Sequence, residues 1–392
     1  MRSRVLALAP DRRDALAAYL LQHTYLVVVG TPDLASAFRI FSVLNDRGLN
    51  LSAADILKAE VIGKIDEDEQ DSFVAAWEEA EEELGTEKFA ELFSHIRMIH
   101  GRNKLRKNVL DGIRESVPML AQPKRFIQEE LIPSSDAYRT ILTQEFESTD
   151  RKADARINRS LRLLARLDDT DWVPPAVLFL VRNSTSPASI ATFFEDLERL
   201  AATLWIRRCD VNERIRRHGK LLAAIEGRDD LSADGSPLQL SAEEMEQTRS
   251  VLDGEIYHLT PKKKRTMVLL RLDEALSSGE ASYDFDHITV EHVLPQNPDA
   301  GSEWCVWWPD EEQRAKQVHR LGNLALLNRR QNSAAGNWDF AKKKTKYFLG
   351  RSGSSPFAIT TEVVARNEWT PADFEERQQR FLDRLSLEWR LQ

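Results

Sequence analysis

The sequence predicts a mainly α fold, in which a helical scaffold carries one small strand–strand–helix (ββα) unit near the C-terminus. Two observations lead to this prediction. Apolar residues recur at helical spacing through the middle third of the 392 residues, as in the stripe that follows Ser186 and Pro187, two residues typical of a helix start. Strand-like alternation of apolar and polar residues is clearest at positions 285–290, close to a second short apolar run at 324–327.

The N-terminal third contains mostly helical patterns. Its spacing predicts, in order, a helix at 11–22, a short buried strand at 25–29, a helix at 35–44 and helical structure over 67–116. Ser52 and Asp55 predict a helix start between these elements, because residues of these types three positions apart form a capping box. Helical spacing then continues to about Gly279.

The predicted ββα unit begins with the alternating run at 285–290, which brings Glu291 and His292 to the end of a strand. Pro295 ends the pairing because it lacks a backbone N–H. The apolar run 324–327 follows Gly322 and Asn323 and predicts the partner strand. Turn residues occupy 332–336, and 338–348 has helical apolar spacing with lysines on its other positions.

The motifs of this unit are E-H-V-L-P-Q at 291–296, L-G-N-L at 321–324, and N-S followed by N-x-x-F-x-x-K-K at 332–344. Together they resemble the HNH (His-Me finger) nuclease domain of GmrSD-type modification-dependent restriction endonucleases. A second segment, 38–58, is similar to the closing part of the nucleotide-dependent domain of the same family. The two segments occur in the order that this family has.

The resemblance implies a site for phosphodiester hydrolysis. A neutral imidazole accepts a proton from water at physiological pH, and His292 is predicted to be the general base. His287, which follows Asp286, is an alternative base. Asn332 and Glu291 are the predicted ligands of one Mg²⁺ or Mn²⁺ ion, because oxygen donors suit hard cations. Asn323 is expected to hold the loop and to orient His292.

Lys343 and Lys344 are expected to bind the substrate phosphate, with a solvated helix face as the alternative. The predicted DNA contacts are Arg320, Arg329, Arg330, Lys342 and Lys346. These contacts follow from polarised charge. Residues 281–312 contain eight carboxylates and no Lys or Arg, whereas residues 313–351 contain ten Lys or Arg and one Asp. The acidic half would attract the cation and the basic half the phosphates, unless the two halves pair with each other.

Composition excludes several other classes of protein. The net charge of −9 argues against a surface that binds nucleic acid everywhere, so DNA contact must come from local basic patches. No apolar run approaches the roughly 20 residues of a membrane span. The chain has 2 cysteines, too few for a disulfide framework, and a cytoplasmic location is expected.

Three regions are predicted: 1–130 as a remnant of the family's nucleotide-dependent domain, 131–280 as a helical connector, and 281–392 as the HNH nuclease domain with a C-terminal helix. The family's D-G-Q-Q-R segment is absent, and so is a G-x-x-x-x-G-K-[ST] phosphate loop. We therefore expect that this chain alone does not hydrolyse nucleotide, although Asp46 or Arg47 could support a nucleotide site, and we expect a nucleotide-dependent subunit or missing half as a partner.

The predicted function is metal-dependent cleavage or nicking of foreign or modified DNA in bacterial antiphage defence. Two alternatives remain open. One is a non-catalytic helical module that senses DNA or a partner and keeps the nuclease fold, and the other is a nuclease directed at RNA. Three tryptophans between the predicted strands, Trp304, Trp307 and Trp308, are expected to pack in a core, with base stacking as the alternative.

Overall fold

The computed structural model describes residues 8–25, 52–183, 186–259, 261–277, 287–328, 337–349 and 355–392. The chain divides into two compact units, Met1–Glu60 and Val61–Gln392. In the described residues most elements are helices, and the strands belong to one two-stranded sheet. The predicted mainly α fold is therefore confirmed.

The first unit contains helix α1 (Pro10–His23), close to the predicted 11–22, and the start of helix α2 (Ala53–Ile62). The capping box predicted before α2 is present. The backbone N–H of Ser52 donates to Asp55 Oδ2 at 2.8 Å, and the N–H of Asp55 donates to Ser52 Oγ at 3.2 Å. The predicted helix at 35–44 lies outside the described residues, as does the predicted strand at 25–29 beyond its first residue.

The first part of the second unit is helical. Its α-helices are α3 (Gln70–Leu84), α4 (Thr86–Gly101), α5 (Val109–Ser116), α6 (Pro123–Arg125), α7 (Ile132–Thr143), α8 (Arg151–Leu164), α9 (Val173–Arg182), α10 (Pro187–Ile206) and α11 (Val211–Gly227). A 3₁₀ turn occupies Pro118–Ala121, and π-helical Phe126–Leu131 joins α6 to α7. Apolar side chains on facing sides of these helices form the core, as the helical spacing predicts.

The remainder of the second unit combines helices with the sheet. Its α-helices are α12 (Ala242–Asp253), α13 (Lys262–Leu276), α14 (Glu303–Trp307), α15 (Glu311–Gln317), α16 (Phe340–Lys343), α17 (Ala358–Ala365) and α18 (Pro371–Glu388). Strands β1 (Thr289–His292) and β2 (Leu324–Leu327) pair antiparallel. Two 3₁₀ turns, Ile256–His258 and Leu321–Asn323, and π-helical Lys344–Phe348 complete this part.

The sheet is enclosed by aromatic residues. Trp304 and Trp308 are fully buried, and their indole N–H groups donate to the backbone carbonyls of Trp338 at 3.0 Å and Trp369 at 2.6 Å. Trp307 is partly buried against the same cluster. On the outer edge of β2, the Thr360 hydroxyl pairs with the backbone of Leu326. These tryptophans pack in the core, as expected from the sequence.

A buried network of ion pairs joins four helices of the second unit. Glu274 of α13 lies 3.0 Å from Arg159 of α8 and 2.8 Å from Arg166, two residues after the end of α8. On the same helix, Arg271 lies 2.9 Å from Glu388 of α18 and 3.4 Å from Glu198 of α10. Glu274, Arg271 and Glu198 are almost fully buried, so these charges depend on their partners for compensation.

Removal of one partner should therefore destabilise the second unit. Glu274→Gln keeps the side-chain volume but removes the carboxylate that pairs with Arg166 and one of the two carboxylates near Arg159, and we expect it to lower the free energy of unfolding by about 1–3 kcal/mol. The measurement is the midpoint of urea unfolding, monitored by circular dichroism. Glu312→Gln is the control, because its pair with Lys316 is exposed at both ends, 78% and 69%, and its midpoint should stay unchanged. Equal midpoints for the two variants would contradict a buried network.

Candidate active site

The side chain of His292 lies at the end of β1 and is only 7% exposed. It is buried because the residues along β1 alternate in burial, and Val290 and His292 share the buried face. The strand register pairs His292 with Leu324, so this imidazole lies beside the turn that precedes β2. Glu291, the residue before it, is on the opposite, half-buried face.

Both ring nitrogens of His292 have side-chain partners. Nε2 lies 3.2 Å from Nδ1 of His319, and Nδ1 lies 3.2 Å from the amide nitrogen of Gln296. The ring of Tyr257 covers one face of the imidazole, with 4.1 Å between the ring centroids. The imidazole is therefore held in place from three directions.

The covering Tyr257 comes from the 3₁₀ turn Ile256–His258, far from β1 in sequence. Its backbone N–H donates to the carbonyl of His319 at 3.0 Å, which also fixes that residue. Arg265 of α13 lies over the Tyr257 ring at 3.9 Å and donates to the Tyr257 carbonyl at 2.5 Å. His258 packs its ring 4.1 Å from that of His319. A turn and a helix outside the predicted nuclease domain thus form one wall of the site.

This environment keeps His292 neutral at physiological pH. Burial, together with the nearby groups His319, Lys343, Arg265 and His258, lowers the pKa of His292 to about 3. Burial also lowers the pKa of His319, an effect that Glu255 partly opposes. A neutral imidazole has one lone pair on the ring, which is the state required to accept a proton.

Asn323 joins the turn before β2 to the segment after His292. Its side chain is fully buried and uses all of its hydrogen-bonding groups. Oδ1 accepts from the Leu294 backbone at 2.7 Å and from the Trp369 indole at 3.2 Å. Nδ2 donates to the carbonyls of Leu294 at 3.1 Å and Val318 at 2.8 Å. These contacts fix the loop that holds His292.

Helix α18 holds the same turn from the other side. The buried guanidinium of Arg377 donates to the carbonyls of Gly322 at 2.6 Å and Leu324 at 3.0 Å. Gln378 accepts from the Gly322 N–H at 2.6 Å. A Cβ at position 322 would lie 3.0 Å from side-chain atoms of Gln378 and Phe374, so a larger residue there requires these neighbours to move by a few tenths of an ångström.

Lys343 reaches the backbone of the site. Its side chain is 1% exposed, and Nζ donates to the carbonyls of His292 at 2.6 Å and Val293 at 3.0 Å. Burial lowers the pKa of this lysine to about 7, although the nearby Glu291 carboxylate raises it. The lysine therefore fixes the end of β1. Lys344 differs, since its Nζ donates to the carbonyl of Arg366 on the side of α17 and α18.

Comparison with known families identifies this part of the chain. A family model described as "GmrSD restriction endonucleases, C-terminal domain" matches residues 244–384. Residues 244–384 are a GmrSD-type C-terminal domain. The match includes His292, His319, Asn323 and Lys343, and it also includes Tyr257 and Arg265, the residues that wall the site. No curated protein matches the chain.

The basic residues predicted to bind DNA have different positions on the GmrSD-type domain. Arg320 is engaged within the protein: Nε donates to the Asp253 carbonyl at 2.9 Å, and Nη1 donates to Gln317 at 2.5 Å. Lys342 and Lys346 are exposed on the outer side of the segment 340–348, with Lys342 lying 4.4 Å from the centre of the Trp338 ring. Arg329 and Arg330 lie outside the described residues.

The predicted cation ligands are only partly described. Asn332 lies outside the described residues, and Glu291 is half-buried near Lys343. Over the described part of the GmrSD-type domain and the rest of the described chain, His, Cys, Asp and Glu do not gather in groups of three or more that could hold a metal ion. The alternative base, His287, is exposed just before β1. No helix in the described ranges is long and apolar enough to span a membrane.

The hydrogen bonds of Asn323 generate a prediction about stability. Asn323→Ala should lower the free energy of unfolding by about 1–3 kcal/mol for each buried partner left without a hydrogen bond. Asn323→Asp should be at least as harmful, although it keeps the shape, because its second oxygen cannot donate to the carbonyls of Leu294 and Val318.

The measurement is urea unfolding of each variant beside Gln379→Ala. Gln379 is an exposed amide that donates to Asp383 at 2.8 Å, so its loss should leave the midpoint unchanged. A stable Asn323→Asp variant would show that the side chain does not hold the turn.

Proposed function

We propose that the chain is a metal-dependent DNA endonuclease that cleaves or nicks foreign or modified DNA in antiphage defence. The observation that carries the proposal is the match of 244–384 to the C-terminal domain of a family of restriction endonucleases. His292, which is buried and has a hydrogen-bond partner at each ring nitrogen, lies inside the matched region. In this proposal β1, β2 and the helical segment 340–348 form a ββα-metal (HNH) unit. The nuclease domain would comprise 281–392 together with the wall contributed by residues 256–265.

His292 is the proposed general base. Its neutral ring can remove a proton from the attacking water, whose oxygen then forms a bond to phosphorus as the 3′ oxygen departs. Asn323 and Lys343 would support the reaction through position, since the first fixes the loop after His292 and the second binds the carbonyls of residues 292 and 293. The exposed Lys342 and Lys346, with Arg329 and Arg330, are the proposed phosphate contacts along the DNA. Lys344 and Arg320 would act beside them only if DNA replaces their present intramolecular partners.

Glu291 and Asn332 are the proposed holders of one Mg²⁺ or Mn²⁺ ion. Glu291 is half-buried on the face of β1 opposite to His292, and its carboxylate together with an amide is a donor set that fits a hard cation, which keeps several waters and takes one or two protein ligands. When bound, such an ion would supply positive charge to the phosphate oxygens. Lys343 near Glu291 supplies part of the positive charge of this region.

The decisive experiment is relaxation of supercoiled plasmid by the full chain with Mg²⁺ or Mn²⁺. We expect His292→Ala to lower the cleavage rate by about 10²–10⁴-fold, the usual contribution of a general base. His287→Ala is the matched control, because it removes an exposed imidazole five positions earlier and should leave the rate unchanged. If the wild type leaves plasmid intact with both metals, or if only His287→Ala is inactive, the proposal of His292 as base in an autonomous nuclease fails. Activity on RNA alone would instead favour an RNA-directed nuclease.

Metal dependence has its own test. EDTA should abolish cleavage, and added Mn²⁺ or Mg²⁺ should restore it. Glu291→Gln and Asn332→Ala should raise the Mn²⁺ concentration for half-maximal cleavage by about tenfold or more, because a contact to a charged group contributes about 1.5–3 kcal/mol. Glu311→Gln, which changes an exposed carboxylate of α15, should not alter it. Unchanged Mn²⁺ dependence in both site variants would contradict these ligands.

A further inference from the structure

The hydrogen bonds around His292 have a defined direction. As the Gln296 side chain is oriented, its amide nitrogen lies 3.2 Å from His292 Nδ1, and an amide nitrogen only donates. With the amide in this orientation, Nδ1 accepts and the ring proton of the neutral imidazole is on Nε2. Nε2 then donates to Nδ1 of His319 at 3.2 Å, which places the proton of His319 on its own Nε2. The direction runs from Gln296 through His292 to His319.

The two sides of the His292 ring differ in access. Gln296 is exposed, so the lone pair on Nδ1 points toward a residue at the surface that a water molecule can displace. His319, on the other side, is half-buried and held by its neighbours. Its carbonyl accepts from Tyr257, its ring lies 5.6 Å from the Tyr257 ring in a stacked arrangement, and His258 packs against it. The partner of Nε2 is thus the fixed one.

We propose that His319 is a positioning residue that selects the tautomer of His292. By accepting the Nε2–H, His319 keeps the lone pair of His292 on Nδ1, on the side that faces Gln296 and the surface. This proposal rests on the function proposed for His292. It adds to that function the atom that takes the proton and the residue that makes this atom available.

The proton transfer balances in this arrangement. Nδ1 takes one proton from water, and the water oxygen forms the new bond to phosphorus. The bond from phosphorus to the 3′ oxygen breaks, and that oxygen leaves with the electron pair and takes a proton from solvent. The imidazolium formed keeps its Nε2–H on His319, which remains neutral. The wrong tautomer, with its proton on Nδ1, could not perform the first step.

The first test reads the tautomer and needs no activity. The full chain is labelled with ¹⁵N-histidine, and the His292 signals are assigned by their loss in His292→Gln. We expect the wild type to show a protonated Nε2 and an unprotonated Nδ1. His319→Leu should populate both tautomers, whereas His319→Asn should keep the wild-type tautomer, because its Oδ1 replaces the accepting Nδ1. His258→Asn is the control, since it changes a ring that packs on His319 outside the Nε2 to Nδ1 contact.

The second test reads the rate of plasmid cleavage. His319→Leu should lower kcat by about tenfold, the value of one hydrogen bond, while KM changes by less than about twofold. His319→Asn should return kcat to within about threefold of the wild type. A general loss of structure cannot produce rescue by asparagine together with an unchanged KM. If His319→Leu does not fold, the pair of wild type and His319→Asn still decides, because loss of the Nε2–H tautomer in the asparagine variant overturns the proposal.

The outcomes separate this inference from the proposed function. If His292→Ala is inactive but His319→Leu keeps both the wild-type tautomer and the wild-type rate, His319 has no positioning role and the nuclease proposal stands. If the wild type does not cut plasmid but His319 still controls the tautomer, the proposed function fails while the contact between the two histidines remains. A wild-type His292 with its proton on Nδ1 overturns the inference directly.

Discussion

The four hydrogen bonds of the buried Asn323 side chain are the constraint on which the candidate site depends. The amide joins the chain just after His292 to the turn that leads into β2, and it also contacts the indole of Trp369. A buried amide with all of its groups bonded permits little movement, because any shift leaves a donor or an acceptor without a partner. The strand pairing of His292 with Leu324 and the contact of Lys343 with the His292 carbonyl follow from this fixed separation.

A second constraint is the burial of His292 itself. A polar ring in the interior is tolerated when its nitrogens have hydrogen-bond partners, and here Gln296 and His319 provide them. The partners come from separate parts of the chain, as does the covering Tyr257. Three loops must therefore be in place before the imidazole can be buried. All three segments lie within the region matched by the family model, residues 244–384.

The parts of the fold and of the site that could be predicted from sequence are those that depend on residues close together in the chain. The β2 run, the helical spacing of 338–348, and the Ser52 capping box each depend on residues close together in the chain, and the structure has elements at those positions. The sequence could not place Tyr257 and His319 beside His292. These residues are 35 and 27 positions away from His292, and a contact over such a distance leaves no periodic pattern in the sequence. His319 stands two residues before the L-G-N-L motif, and this closeness is the sequence signal that indicates a place near the site.

The three consecutive lysines at 342–344 differ in burial, and the sequence contains a signal for this difference. Charge alone gives Lys342, Lys343 and Lys344 the same expected role, yet only Lys343 lies three residues after Phe340 and four before Tyr347, on the apolar side of the helix. That spacing predicts burial, and the buried ammonium donates to the backbone carbonyls at the end of β1. Arg320 had no such signal, because its partner Asp253 is distant in sequence.

Helix α18 connects these constraints to the helical part of the second unit. Near its start, Arg377 and Gln378 bind the turn before β2, and near its end Glu388 binds Arg271 of α13. Residues 377 and 388 are eleven positions apart, which corresponds to about 16 Å at the rise of an α-helix, and the helix is continuous between them. Arg271 in turn contacts Glu198 of α10. Because a continuous helix does not bend easily between two buried anchors, displacement of the ion network would move the turn that carries Asn323. The helical scaffold therefore helps to hold the candidate active site in place, and a change in its ion pairs would also alter the geometry around His292.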